Sequence, residues 1–176
     1  MFTRKLVSLA ALVALGATAA SAQTPGLGKP ISAAELAAWD INVLPDGTGL
    51  PAGSGNAAQG AKIYAEKCAG CHGAKAEGQG PWTKLIGGNP IGSINAGEKT
   101  IANFYPYATT IFDFIRRSMP YAQPRTLSND EVYALTAFIL AGNKIIGEND
   151  VMNAQSLPKV RMPNRDGFII RFPEKI

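Results

Sequence analysis

The chain is short of the residues on which most enzyme chemistry depends. Among its 176 residues there are only two cysteines and one histidine. With a single imidazole, His72, no histidine remains for acid–base work once that ring is engaged elsewhere. Paired carboxylates, Ser/His/Asp groupings and phosphate-cradling loops are likewise missing as credible constellations. Two cysteines and one histidine provide three ligands, one fewer than a structural zinc site needs. Charged residues make up only 17% of the chain, and they form no concentrated basic footprint of the kind that nucleic-acid binders carry. Beyond the N-terminus no stretch approaches the roughly 20 apolar residues of a spanning helix.

What chemistry there is lies in five residues, Cys68-Ala-Gly-Cys71-His72. C-x-x-C-H is the attachment signature of a c-type haem. Thiols at i and i+3 lie on one face of a helical turn, where both reach the vinyl groups along one haem edge. His72 is then the natural proximal ligand to the iron. A thioredoxin-like motif needs a strand–helix–strand setting that is not found here, and a plain disulfide leaves the adjacent histidine unexplained. The expectation is one covalently bound haem c with no second histidine ligand. Methionine in the sixth position suits electron transfer, whereas an open position suits ligand binding or catalysis. Met119, in Ser118-Met119-Pro120, is the first candidate because a chain crossing just before the last helix should pass the distal side. Met162, also followed by proline, is the second, and the remaining possibility is neither.

The N-terminus reads as an export signal over residues 1–22. Arg4 and Lys5 precede an apolar run from Leu6 to Ala20, and Ala20-Ser21-Ala22 offers a small-x-small cleavage pattern before Gln23. The run is short for a membrane anchor, which remains the minor alternative. The expected location is the periplasm. Removing 22 of 176 residues leaves 154, a size expected for one domain. Without Arg4 and Lys5 the 17 basic residues become 15 against 13 acidic ones, a balance of +2. Partner docking is therefore expected to use an apolar patch around an exposed haem edge.

The spacing of apolar residues predicts an all-α core over 56–143 between two long arms, 23–55 and 144–176, with no strand pattern. In the first arm Ser32-Ala-Ala-Glu35 is a capping box for a short helix ending near Trp39, and Trp39, Ile41, Val43 and Leu44 argue for packing on the core. The first core helix is expected from about Asn56 to Ala69, with Gly60 and Tyr64 one turn apart to admit a crossing helix. A second runs from about Tyr107 to Ser118, with Tyr107, Ile111, Phe114 and Ile115 buried. The last begins at the box Ser128-Asn-Asp-Glu131, buries Val132, Leu135 and Ile139, and stops at Gly142 and Asn143.

Residues 73–105 read as glycine-punctuated loop that wraps the cofactor, and the second arm as an extended segment across the core. Gly80-Pro81 is the candidate for the carbonyl that orients His72. Arg116 and Arg117 are candidates for pairing with haem propionates or an acidic partner. Trp82, Tyr105, Tyr107 and Tyr121 are candidates for lining the haem, with ordinary core packing an equal alternative.

With Gly60, Tyr64, the C-x-x-C-H motif, Met119-Pro120 and the Tyr133/Ala137/Phe138 helix in place, the chain resembles a class I cytochrome c over about 56–143. The resemblance implies the monohaem class I fold, His72/Met119 ligation of iron and a close crossing of first and last helices. It departs after Pro81, where Gly80-Pro81-Trp-Thr-Lys-Leu85-Ile-Gly87 is longer than the family's usual loop. The stretches 38–51, 99–120 and 162–168 are similar to haem subunits of periplasmic sulfite and sulfane dehydrogenases of sulfur oxidation. This implies a molybdenum-containing dehydrogenase subunit as electron donor, a downstream cytochrome or oxidase as acceptor, and a chain that is not itself an enzyme. A free periplasmic carrier, or the haem subunit of another dehydrogenase, is the alternative. A haem enzyme or gas sensor requires that Met119 not bind iron.

Overall fold

The computed structural model describes residues 27–88 and 97–168. Residues 1–22, expected to be an export signal, the first residues of the N-terminal arm, Gly92 and the last eight residues lie outside these. The chain divides into two compact units, Met1–Asp40 and Ile41–Ile176.

In the first unit, helix α1 (Ala33–Trp39) starts at the expected capping box. The Ser32 amide donates to Glu35 Oε2 at 2.8 Å and Ser32 Oγ accepts from the Glu35 amide at 3.2 Å. The Ser32 amide and, after it, the Ser32 hydroxyl, which donates to the same Oε2 at 2.8 Å, hold the Glu35 carboxyl below its ordinary range. The helix buries none of its residues, and Trp39, expected to pack on the core, is 78% exposed.

The second unit is mostly helical, with β1 (Ser54–Asn56), α2 (Ala57–Lys67), α3 (Ala69–His72), α4 (Ile101–Phe104), α5 (Ala108–Ser118), α6 (Asn129–Gly142), β2 (Val151–Asn153) and a 3-10 turn at Leu157–Lys159. Both long core helices that cross begin at capping boxes. Asn56 and Gln59 exchange bonds of 2.9 and 3.0 Å at the start of α2, and Ser128 and Glu131 do the same for α6. These reciprocal bonds satisfy amides that a helix start leaves without partners.

The core is organised by the crossing of α2 over α6. Gly60 faces the backbone of Ala134, and a Cβ there would overlap the Ala134 carbonyl and crowd Phe138. Gly55 abuts the same Ala134 backbone just before α2 begins. One turn beyond Gly60 the Tyr64 ring lies 4.8 Å from that of Phe138. Lys67 at the end of α2 reaches Glu131 at the start of α6, 2.6 Å away.

Helix α6 is apolar nearly all round, burying Val132, Tyr133, Ala134, Leu135, Thr136, Ala137, Ile139 and Leu140. Its polar Thr136 is accommodated by donating to the Val132 carbonyl at 2.7 Å. Helix α5 covers it from another side with Ala108, Ile111, Phe112 and Ile115, the i, i+3, i+4, i+7 stripe. Phe112 meets Tyr133 at 4.4 Å. This corrects one expectation: Phe114 lies off that stripe and is 48% exposed, and Phe112 takes its place in the core.

Two small elements were not legible as periodic patterns. Strands β1 and β2 pair antiparallel, with Gly55 opposite Met152, and three residues are too few to show alternation. Helix α4 is a single turn inside the stretch expected to be loop.

The strand pair joins the two arms. Upstream of it, the chain from Ile41 lies over α5 and α6: Arg116 donates to the Ile41 carbonyl at 3.4 Å, Arg117 to Asn42 Oδ1 at 2.8 Å, and Tyr133 to the Pro51 carbonyl at 2.8 Å. Val43 packs against the core, while Leu44 is 49% exposed. Downstream, Met152, Leu157 and Met162 are buried in the core, Arg165 stacks on Tyr107 at 4.1 Å, and Asn164 donates to the Phe104 carbonyl at 2.8 Å.

Two measurements check this packing. Gly60→Ala should cost about 1–3 kcal/mol, the range of forced overpacking, read as a lowered melting midpoint. The Lys67 hydrogen bond, and after it the Ser128 amide, depress the Glu131 pKa. A depressed carboxylate contributes stability above its unfolded pKa and loses it as pH falls through the folded value. Lys67→Met should therefore be less stable than wild type at neutral pH, with the gap closing in acid as Glu131 protonates.

Candidate functional site

The Cys68–His72 motif sits where α2 gives way to a second helical turn. Cys68 ends α2 by donating its amide to the Tyr64 carbonyl at 2.9 Å, with a backbone that breaks the helix at φ −125°, ψ −34°. Its carbonyl then accepts the amides of Cys71 and His72 at 3.1 and 3.0 Å, closing α3. The expected single helix to Ala69 is thus two helices with the first thiol at their junction. Gly73 stops α3 at φ +86°, a conformation that favours glycine.

The motif is locked from behind. Tyr64, one turn before Cys68, donates its hydroxyl to the Gly73 carbonyl at 2.6 Å in a buried bond. It thereby ties the residue after His72 back to α2. Burial pushes the Tyr64 phenol up to about 12, so it remains a donor across the working pH range.

Neither cysteine is in a disulfide; Cys68 is half-buried and Cys71 exposed. Burial raises the Cys68 pKa to about 11 against the opposing pull of Lys67, so it is not set up as a reactive thiolate. Among the described residues no three His, Cys, Asp or Glu side chains converge as a metal-holding group.

His72 Nδ1 lies 3.2 Å from the carbonyl of Thr83. A carbonyl only accepts, so Nδ1 carries the proton and the Nε2 lone pair is left free as a ligand. This corrects the assignment of that carbonyl to Gly80-Pro81. The turn at those residues is closed by Gln79 and Trp82, which exchange backbone bonds of 3.0 and 3.2 Å, and the chain reaches His72 only at Thr83. Two cysteines one helical turn apart and an imidazole oriented by a backbone carbonyl are the donor set that a covalently attached haem c requires.

The wrapping loop is fastened by its own contacts. Ala76, fully buried, accepts the amides of Leu85 and Ile86 at 2.9 and 3.0 Å. Asn143 does more than stop α6: its side-chain amide donates to the Leu85 carbonyl at 2.9 Å, and its oxygen accepts the Gly87 amide at 2.8 Å.

The two methionine candidates occupy different settings. Met119 caps the end of α5, donating its amide to the Ile115 carbonyl at 3.0 Å, and is half-buried in extended backbone. Met162 is 1% exposed inside the protein core, and Met152 is 4% exposed. Among the aromatic candidates, Tyr107 is engaged with Arg165 and Tyr105 with Phe104. Trp82 lies 6.2 Å from the His72 ring and 5.6 Å from that of Tyr121, two residues past Met119. Arg116 and Arg117, candidates for propionate pairing, are instead committed to the 41–42 backbone and side chain and to Asp113. Thr83 and Asn143 escaped sequence reading in these roles, because a backbone carbonyl and a cross-loop amide leave no motif.

Tyr64→Phe tests the lock behind the motif. It removes one of two donors to the buried Gly73 carbonyl, which keeps the Ala76 amide at 3.1 Å, and should cost about 0.5–1.5 kcal/mol, measured by guanidinium unfolding of the haem-loaded protein.

The cytochrome c family model matches residues 57–143. A chain in the crystal structure of the sulfane dehydrogenase SoxCD from Paracoccus pantotrophus is similar, with a TM-score of 0.76 and 41% identity over 85% of this chain and 72% of that one. No curated protein matches.

Proposed function

The chain belongs to the cytochrome c family, and we propose that it is the single-haem, electron-accepting subunit of a periplasmic, molybdenum-containing sulfur-compound dehydrogenase. Membership of the family makes it an electron-transfer protein rather than a catalyst in its own right, with haem c bound covalently. When bound, haem c supplies an iron that accepts and releases one electron at a time.

The residues of the chain hold that group and set its surroundings. Cys68 and Cys71 supply the thiols for thioether attachment. His72 would offer Nε2 to the iron, with its ring orientation fixed by the Thr83 carbonyl. Met119 would supply the second iron ligand from the protein. Its thioether is half-buried at a loop, whereas the sulfur-bearing side chain of Met162 is packed inside the core.

The observation that carries the dehydrogenase reading is the extent of the similarity to the SoxCD chain. It covers 85% of this chain, more than residues 57–143 alone provide, so the arms share in it. A small electron shuttle needs only the haem core. Arms that wrap α5 and α6 and share their sequence with a dehydrogenase component favour a chain built for permanent assembly. The sulfite and sulfane dehydrogenases that the chain resembles pair their haem subunit with a molybdenum subunit, which names the expected partner. The N-terminal pattern of residues 1–22 supports export to the periplasm.

Size fractionation of a native periplasmic extract, with molybdenum and sulfite-dependent haem reduction assayed in each fraction, tests the reading. Co-elution with molybdenum and prompt reduction are expected. A small molybdenum-free species, reducible by ascorbate but not by sulfite, would overturn it in favour of a free carrier. For the ligand, Met119→Ala should abolish the methionine–iron absorption band while Met162→Ala retains it.

A further inference from the structure

Two aromatic side chains beside the site have no role in the attachment chemistry. Trp82 belongs to the segment that orients His72. Its backbone is fixed on both sides of the Gly80-Pro81 turn by its two bonds to Gln79. A Cβ at Gly78, φ +84°, would press on the Trp82 carbonyl at 2.9 Å, so the turn is closely packed. The next residue, Thr83, presents the carbonyl to His72, and the Trp82 ring itself lies 6.2 Å from the imidazole.

Tyr121 belongs to the segment that bears Met119. Residues 121–126 are all exposed. Its hydrogen bonds are local: Gln123 donates its amide to the Pro120 carbonyl at 2.9 Å, and Thr126 its hydroxyl to the Gln123 carbonyl at 2.8 Å. Met119 and Leu127 pack against the core at either end. Between those ends Tyr121, 73% exposed, reaches sideways to Trp82, with ring centroids 5.6 Å apart and planes tilted by 57°. That geometry is favourable for an aromatic pair.

We propose that Trp82 and Tyr121 form a clasp fastening the Met119 segment to the segment that orients His72, and so resist displacement of Met119 from the iron. Both are positioning residues, acting through Met119. An exposed loop held by local hydrogen bonds among the described residues opens readily, and each opening would withdraw the Met119 sulfur and let a competing ligand in. The ring pair lowers the population of the open loop. The hydroxyl of Tyr121 is not needed for this, since the contact is between ring faces and edges.

The proposal rests on Met119 as the sixth ligand. Its test uses the haem-loaded full chain in the ferric state, with imidazole as the probe. Tyr121→Ala should bind imidazole about three- to tenfold more tightly than wild type, the effect expected of losing one aromatic pair. Tyr121→Phe should bind it as wild type does. Trp82→Ala should match Tyr121→Ala, and the double variant should exceed neither, because either ring alone has nothing to hold. Unchanged imidazole affinity in Tyr121→Ala, or single effects that multiply in the double variant, overturns the clasp. Should Met119→Ala keep the methionine–iron band, the ligand assignment fails and the clasp with it. Loss of that band alongside an unaltered Tyr121→Ala sinks the clasp alone.

Discussion

The close contact of α2 with α6 at Gly60 and Ala134 is the constraint on which the rest of the second unit depends. Only a residue without Cβ lets the α2 backbone approach the Ala134 carbonyl. That approach brings Tyr64 against Phe138 and Lys67 against Glu131, fixing α2 both along its length and in rotation. The rotation matters because Tyr64 then points its hydroxyl at Gly73. The attachment motif is thereby held at both ends by the same helix. Precision at Cys68 and His72 thus originates two turns earlier, in a glycine that touches neither.

The arms extend that rigidity rather than merely covering it. A free α5 would present Arg116 and Arg117 to solvent or to an anionic group. Here the 41–42 segment takes them up, and Met119 follows two residues after Arg117 on the helix so anchored. Asn143 performs a comparable task from α6, holding Leu85 and Gly87 of the loop that also contains Thr83. The loop containing Thr83 is thus tied to α6, and the end of α5 beside Met119 to the 41–42 segment, by contacts between residues far apart in sequence.

Local signals made the helices legible in the sequence. Ser32, Asn56 and Ser128 cap through partners three residues away, and Gly60 and Tyr64 share a face through helical spacing alone. The C-x-x-C-H motif is legible because its chemistry is complete within five residues. What escaped depends on distant partners. The Thr83 carbonyl is backbone and has no residue signature, so the Gly80-Pro81 turn soon after the motif drew the assignment, two positions short of Thr83. Phe114 and Phe112 are indistinguishable by hydropathy, and only the stripe set by Ala108, Ile111 and Ile115 chooses between them. The arginines at 116 and 117 read as free charges until the Asn42 region folds back on them.

The β1–β2 ribbon has a consequence for the order in which the molecule is assembled. Gly55 pairs with Met152, so closing this ribbon spans almost the whole core, a long-range contact with the entropic delay such closures carry. A chain emerging from its N-terminus exposes Cys68 and Cys71 well before β2 exists. The turn that carries them closes through bonds that the Cys68 carbonyl accepts from residues three and four positions on, so the motif is local in the chain while the ribbon that ties the ends of the core together is not.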